Sequence, residues 1–106
     1  MATAADIFAG ICKRFKPDKA GDMNSNVVFD LAGDDGGQWT VQINDGTCSV
    51  EEGAVANPKA TVHMSADDYV AMMTGNLNPM MAFMSGKVKV EGDLNTVMKL
   101  QQVFEQ

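Results

Sequence analysis

Between residues 26 and 65 the hydrophobic positions recur every second residue. Residues 26–32 set Val27, Phe29 and Leu31 on one face against Val28 and Asp30 on the other. Residues 38–44 set Trp39, Val41 and Ile43 against Gln38, Thr40, Gln42 and Asn44. Residues 47–52 set Cys48 and Val50 against Thr47, Ser49 and Glu51, and residues 59–65 set Ala60, Val62 and Met64 against Thr61, His63 and Ser65. A period of two predicts strands, and one apolar and one polar face per strand predicts an antiparallel sheet with one wet side. Gly33-Asp34-Asp35-Gly36-Gly37 and Asn44-Asp45-Gly46 are turns, the second a hairpin signal because these residues accept positive φ.

On either side of that stretch the period lengthens. Ile7, Phe8, Ile11, Cys12 and Phe15 form one helical stripe, with Lys13, Arg14 and Lys16 across from it. Thr3 is its N-cap, with Asp6 at N3, and Pro17 marks its end. Ser65 caps a second helix, with Asp68 at N3 and Asp67 favourable near the positive end of the dipole. Tyr69, Met72 and Met73 follow at helical spacing, and Gly75 stops it. Asn78-Pro79 opens a third helix, carrying Met80, Met81, Phe83 and Met84, which is apolar on most sides and ends at Gly86. Residues 87–91 are a fifth strand with Val88 and Val90 on one face. The long helical crossover between the fourth and fifth strands predicts that these two pair in parallel. Gly92 breaks the strand and Asp93 caps a last helix. With Leu94 set at zero, Met98 lies at about 40°, Val97 at about 300°, Phe104 at about 280° and Leu100 at about 240°. Gln101, at about 340°, falls inside this apolar stripe.

At 106 residues the chain is expected to be a single domain over 1–106, with material for one modest core. Net charge is −6 and pI about 4.4, which argues against nucleic acid as a partner. Lys13, Arg14, Lys16 and Lys19 against Asp6 and Asp18 leave residues 1–20 at +2 and the remainder at −8. Two readings stand for this basic segment: a solvated helix face, or transient contact with a membrane. Cys12 and Cys48 are too few for a secreted disulfide scaffold. No secretory signal, membrane span or terminal peroxisomal tripeptide is apparent, so an intracellular, cytoplasmic and reducing location is expected.

Catalytic and cofactor chemistry finds no footing. His63, the one histidine, stands on the polar face of its strand without a nucleophile placed beside it by sequence. Cys12, Cys48 and His63 fall on different elements and lack zinc spacing. Phosphate-loop and dinucleotide motifs are missing, and Asp34, Asp35 and Asp45 are turn residues. No enzyme, cofactor or metal is expected. The outlier is methionine, nine in all, five of them Met72, Met73, Met80, Met81 and Met84. Adaptable thioether side chains suit guests of varied shape, and helices apolar nearly all round need cover that a chain this small lacks. The methionines therefore either line a lipid site or fill the core. Gln101 either meets a lipid head group or bonds to backbone or a buried water.

The run Met73-Thr74-Gly75-x-x-Asn78-Pro79-x-x-Ala82-Phe83-x-x-Gly86-Lys87-x-Lys89-x-x-Gly92, followed by Met98-Lys99-Leu100-Gln101, resembles the signature of the sterol carrier protein type 2 family. Trp39-Thr40-Val41-x-Ile43-x-x-Gly46 and Ser65-Ala66-Asp67-Asp68 are similar to it as well. The resemblance implies an α+β fold: a five-stranded, mostly antiparallel sheet in the order 3-2-1-4-5, covered on one face by about five helices. A hydrophobic tunnel would lie between the two layers. It implies intracellular binding and transfer of fatty acids, fatty acyl-CoAs or sterols without a chemical step. By position, the lipid-binding wall implied is Phe8, Ile11, Trp39, Val41, Met72, Met81, Phe83, Met84, Val97, Met98 and Phe104, with Gln101 a polar contact at the mouth. Relatives often end in a peroxisomal tripeptide that this chain lacks. The alternative is a non-catalytic interaction or structural module with the same fold and a filled core.

Overall fold

The structure is a computed structural model, and it describes residues 3–104. Glu105 and Gln106, on which the reading of the missing tripeptide rests, lie outside the described residues. Chain order is α1 (Ala4–Gly10), a 3-10 turn (Ile11–Arg14), α2 (Pro17–Ala20), β1 (Ser25–Ala32), β2 (Gly37–Asn44), β3 (Thr47–Glu52), β4 (Ala60–Ser65), α3 (Ala66–Met73), α4 (Pro79–Met84), β5 (Lys89–Gly92) and α5 (Leu94–Gln102). This is the α+β fold expected, with five strands in the order β3-β2-β1-β4-β5.

Local chemistry sets most of these boundaries. Thr3 and Asp6 close a reciprocal capping box on α1, satisfying two amides with no partner inside the helix. The Ser65 hydroxyl accepts from the Asp68 amide, and the Asn78 carbonyl oxygen accepts from Met80 and Met81. Asp45 and Gly46 both take positive φ, 50° and 76°, as a two-residue hairpin turn between twisted strands requires.

Three expectations are corrected. Helix α1 does not run to Pro17: it tightens into the 3-10 turn at Ile11, and Pro17 opens the short α2, its missing N–H costing nothing at a first helical position. Strands β4 and β5 pair antiparallel, while the parallel pair is β1 with β4. A parallel pair demands a crossover, but a long connection does not demand a parallel pair. Here the β2–β3 hairpin and the loop after it supply the crossover for β1 and β4. Val88 precedes β5 rather than belonging to it.

The core lies on the helix side of the sheet, where Val27, Phe29, Leu31, Val41, Ile43, Val62 and Met64 meet Ile7, Phe8, Ile11, Tyr69, Leu100 and Val103. Phe8 is its hub. Its ring stacks on Trp39 at 4.8 Å and on Tyr69 at 4.7 Å, and meets Phe29 tilted at 5.5 Å. The outer face is not wholly wet. Val28 and Thr40 are buried there, with the Thr40 hydroxyl donating to the Gly53 carbonyl at 2.8 Å and accepting from the Val55 amide at 3.3 Å. His63 is half-exposed on that face, Nδ1 3.3 Å from an Asp30 carboxylate oxygen and Nε2 3.1 Å from one of Glu91. Cys12 and Cys48, scattered in sequence, are joined as a disulfide with Cα atoms 5.5 Å apart, fastening the 3-10 turn to the edge strand β3; the expectation of a reducing location is corrected by this bridge, since disulfides persist where thiols are not kept reduced.

Candidate functional site

The sheet and helices do not close completely on each other. A cavity of about 370 Å³ lies between Phe29 and Val41 of the sheet, Ile11 and Arg14 of the 3-10 turn, Tyr69, Met72 and Met73 of α3, and Leu100, Gln101 and Phe104 at the end of the chain. The α3–α4 connection, from Gly75 to Pro79, completes the wall. Its volume falls within the range of small-molecule sites, and its lining is mostly apolar, as such sites are.

Each wall follows from local structure. In a 3-10 turn residues i and i+3 eclipse, so Ile11 and Arg14 share one face, and that face is the cavity's. Arg14, expected among solvated charges, is instead half-buried, and its Nη1 donates to the Met73 carbonyl at 3.2 Å. That bond satisfies an orphan carbonyl at the end of α3 and sets a cation at the negative end of the helix. Tyr69, Met72 and Met73, at i, i+3 and i+4, face the same way. The chain after α5 is clipped down: Lys16 donates its amide to the Val103 carbonyl at 2.7 Å, and the Phe15 and Phe104 rings meet at 5.9 Å.

Of the implied wall, the structure brings together Ile11, Val41, Met72, Gln101 and Phe104 at the cavity. Phe8 and Trp39 stand in the stack that abuts Tyr69, and Val97 packs partly buried against the core. Met81, Phe83, Met84 and Met98 are exposed, at 68%, 41%, 77% and 44%. The expectation that α4 is buried on several sides is therefore corrected: Ala82 alone among Pro79–Met84 is buried, and the small methyl marks where the helix touches the body. Gln101 is exposed too, because the inward side of α5 is Thr96, Leu100, Val103 and Phe104, at about 180–280° on the same wheel. Leu94, Met98 and Gln101 are the half of the stripe left outside.

Met73, one of the clustered methionines, also stands in the wall, while sequence reasoning passed over Arg14, Phe29, Tyr69, Leu77 and Leu100 as site residues. A signal existed for one of them, since Tyr69 shares the helical spacing of Met72 and Met73. Tyr69 is 1% exposed, and its hydroxyl has no hydrogen-bond partner among the described residues. Burial pushes the phenol above its ordinary value, partly offset by the positive charge of Arg14.

Helix α5 carries one side of the site, and Asp93 holds its start. The Asp93 carboxyl is kept below its ordinary value of 3.8, chiefly by the Thr96 hydroxyl donating to it at 2.9 Å, with the Asn95 amide at 3.0 Å adding to this. A depressed folded-state value contributes stability above the unfolded one, lost as pH falls through it. Below pH 3.8 the first turn of α5 is expected to fray, seen as lower amide protection factors at residues 96–98 once the slower intrinsic exchange in acid is allowed for. Asp93→Ala should show that loss of protection already at neutral pH; equal protection in the variant would remove the cap from the account.

Among the described residues no group of three or more side chains is arranged to hold a metal ion, and no helix is long and apolar enough to cross a membrane. Residues 8–105 match the model of the SCP-2 sterol transfer family. Hydroxysteroid dehydrogenase-like protein 2 of Xenopus tropicalis is 40% identical over 80 residues, covering 74% of this chain and 19% of the relative. Human sterol carrier protein 2 is 34% identical over 85 residues, covering 80% of this chain and 16% of the relative. The chain thus spans under a fifth of the length of these curated relatives. The solution structure of palmitated SCP2L2 from Aedes aegypti superimposes with a TM-score of 0.83 over 99% of this chain and 96% of that one, at 23% identity, a likeness of fold. The chain belongs to the SCP-2 sterol transfer family, whose members bind and transfer sterols and other lipids.

Proposed function

We propose that this chain takes up a fatty acid, fatty acyl-CoA or sterol into the cavity between its sheet and α3, and carries it without a chemical step. The observation that carries the reading is the cavity itself, apolar where Met72, Leu77, Leu100 and Phe104 line it and polar where Asn76, Asn78 and Gln101 stand exposed at its edge. Each methylene leaving water for such a wall contributes about 0.8 kcal/mol before ordering costs. Met72 and Met73 supply side chains that adapt to tails of different shape. The palmitated relative supports an acyl chain as one guest. The edge at Gly75–Asn78 and Gln101 is the proposed entrance, and the channel behind it the proposed tunnel. The exposed Lys13 and Lys19 are the proposed membrane contact of the basic segment.

A volume-filling substitution tests this. Met72→Trp combined with Leu77→Trp puts two indoles at the cavity, from α3 and from the connection that follows it. Binding of a pyrene-tagged alkane is expected to weaken by roughly tenfold or more, the equivalent of about two buried methylenes. Circular dichroism should stay unchanged. Native mass spectrometry of gently purified protein is expected to show co-purified lipid on the parent and none on the variant. An unaltered affinity in a folded variant would move the guest out of the cavity. A module with a solid core is the rival reading. The apolar side chains exposed on α4 favour an interaction role, and such a module would take up no probe at all.

A further inference from the structure

A covalent cross-link ties one wall of the cavity to the strand beside another. Ile11 and Arg14 of the 3-10 turn form the first wall, and Phe29 and Val41 belong to the wall that the sheet supplies. Cys12 lies between Ile11 and Arg14 in that turn, and its sulfur is bonded to the sulfur of Cys48 on β3. Cys48 pairs with Ile43 of β2, two residues along the strand from Val41. The bridge thus sets where the turn stands relative to the sheet, and with it the width of the space between them. Beside the bridge, the turn is steadied by single hydrogen bonds: Arg14 Nη1 to the Met73 carbonyl at 3.2 Å and, just past its end, the Lys16 amide to the Val103 carbonyl at 2.7 Å. Cys12 and Cys48 are half-buried next to the exposed Lys13, Thr47 and Ser49, so a small thiol in solution reaches the bridge. They are the two cysteines of the sequence, which leaves no third thiol in the chain to exchange with them.

We propose that the Cys12–Cys48 bridge is a redox gate on the cavity: closed, it keeps the turn against the sheet and the guest between them, and opened by a dithiol reductant, it frees the turn and releases the guest. The proposal rests on the cavity being the lipid site. A thiolate of the dithiol attacks one sulfur of the bridge and forms a mixed disulfide, while the other cysteine sulfur leaves as a thiolate and takes up a proton. The second sulfur of the reductant, as thiolate, then displaces the remaining cysteine. Two electrons and two protons pass to Cys12 and Cys48, and the dithiol ends as a disulfide. Linkage makes the effect reciprocal: the guest protects the bridge against reduction by the same factor by which the bridge strengthens binding.

The experiment is titration of the whole chain with a pyrene-tagged alkane, oxidised and in excess dithiothreitol. Opening the bridge is expected to weaken binding by roughly tenfold, an ordinary coupling between two sites, with the far-ultraviolet circular dichroism unchanged at the assay temperature. In a buffer of reduced and oxidised dithiothreitol, saturating alkane should move the midpoint of reduction by the same factor. Cys12→Ala/Cys48→Val, which fills the place of the bridge with apolar groups, should bind as weakly as the reduced parent and ignore reductant. A merely structural bridge would lower the melting temperature without moving the affinity of the folded chain. Equal affinity in both redox states, with a reduction midpoint indifferent to the alkane, overturns the gate and leaves the carrier reading standing. A reduced chain that has lost its far-ultraviolet signal overturns it as well, because the bridge would then support the whole fold rather than one wall. Absence of alkane binding to the oxidised chain removes the carrier reading and this proposal with it.

Discussion

Replacing Phe8 with alanine is expected to cost about 3–5 kcal/mol of stability, the range for emptying a buried aromatic site. Phe8 is 2% exposed and is the shared partner of three rings: Trp39 and Tyr69 stack on it nearly parallel, and Phe29 tilts against it. Its loss removes the transfer free energy of the ring and two stacking contacts. It also leaves a void that the stiff sheet behind cannot close. The cost is a large fraction of the whole stability of a domain this size, about 5–15 kcal/mol. The denaturation midpoint in urea should fall steeply. Tyr69, which leans on Phe8 while lining the cavity, should lose its fixed orientation. Uptake of the pyrene-tagged alkane would then decline with stability, whereas Phe8→Leu, which refills much of the volume, should recover most of both. A Phe8→Ala variant with the parent's midpoint would mean that the stack is not the support of the site.

Opening the Cys12–Cys48 bridge is the second large effect. The two residues are 36 apart in sequence, and a cross-link over such a loop restricts the unfolded chain by about 3–4 kcal/mol. The Cys12→Ser/Cys48→Ser double variant, or the parent in strong reductant, is expected to melt lower by on the order of 15 °C. The loss should fall on one part of the molecule first. Cys48 sits on β3, an edge strand whose sole strand partner is β2, and Cys12 sits in the turn that presents Arg14. Hydrogen exchange should therefore accelerate in Thr47–Glu52 and in Ile11–Arg14 before it does in the central β1–β4 pair. Indistinguishable melts with and without reductant would contradict a stabilising bridge.

These effects converge on the 3-10 turn. It carries Ile11 and Arg14 into the cavity wall, holds the bridge to the sheet edge through Cys12, and lends Arg14 to the end of α3. A four-residue segment with weak hydrogen bonding of its own depends on such outside contacts for a single conformation. The shape of the cavity and the stability of this turn are therefore coupled: whatever loosens Ile11–Arg14 also moves part of the cavity wall.

The elements were legible along the chain because their signals are local. Period-two alternation in residues 38–44, Asn44-Asp45-Gly46 at the hairpin, Ser65 with Asp68 and Asn78-Pro79 at helix starts each act within a few residues. The run from Met73 to Gly92 carried the family, and with it the strand order. Which side each ambiguous face turns to was settled by packing in three dimensions. The stripe on α5 is wider than the surface that the sheet offers, so packing chose Leu100 and Phe104 and left Met98 and Gln101 outside. The methionines of α4 point outward because the helix turns Ala82 and its first residue, Pro79, toward the body. The register that joins Cys12 to Cys48, the parallel pairing of β1 with β4, and the hydrogen bond from Arg14 to the Met73 carbonyl all join residues far apart in the chain. Such contacts follow from the closing of the sheet against the helices, and short-range pattern carries no record of them.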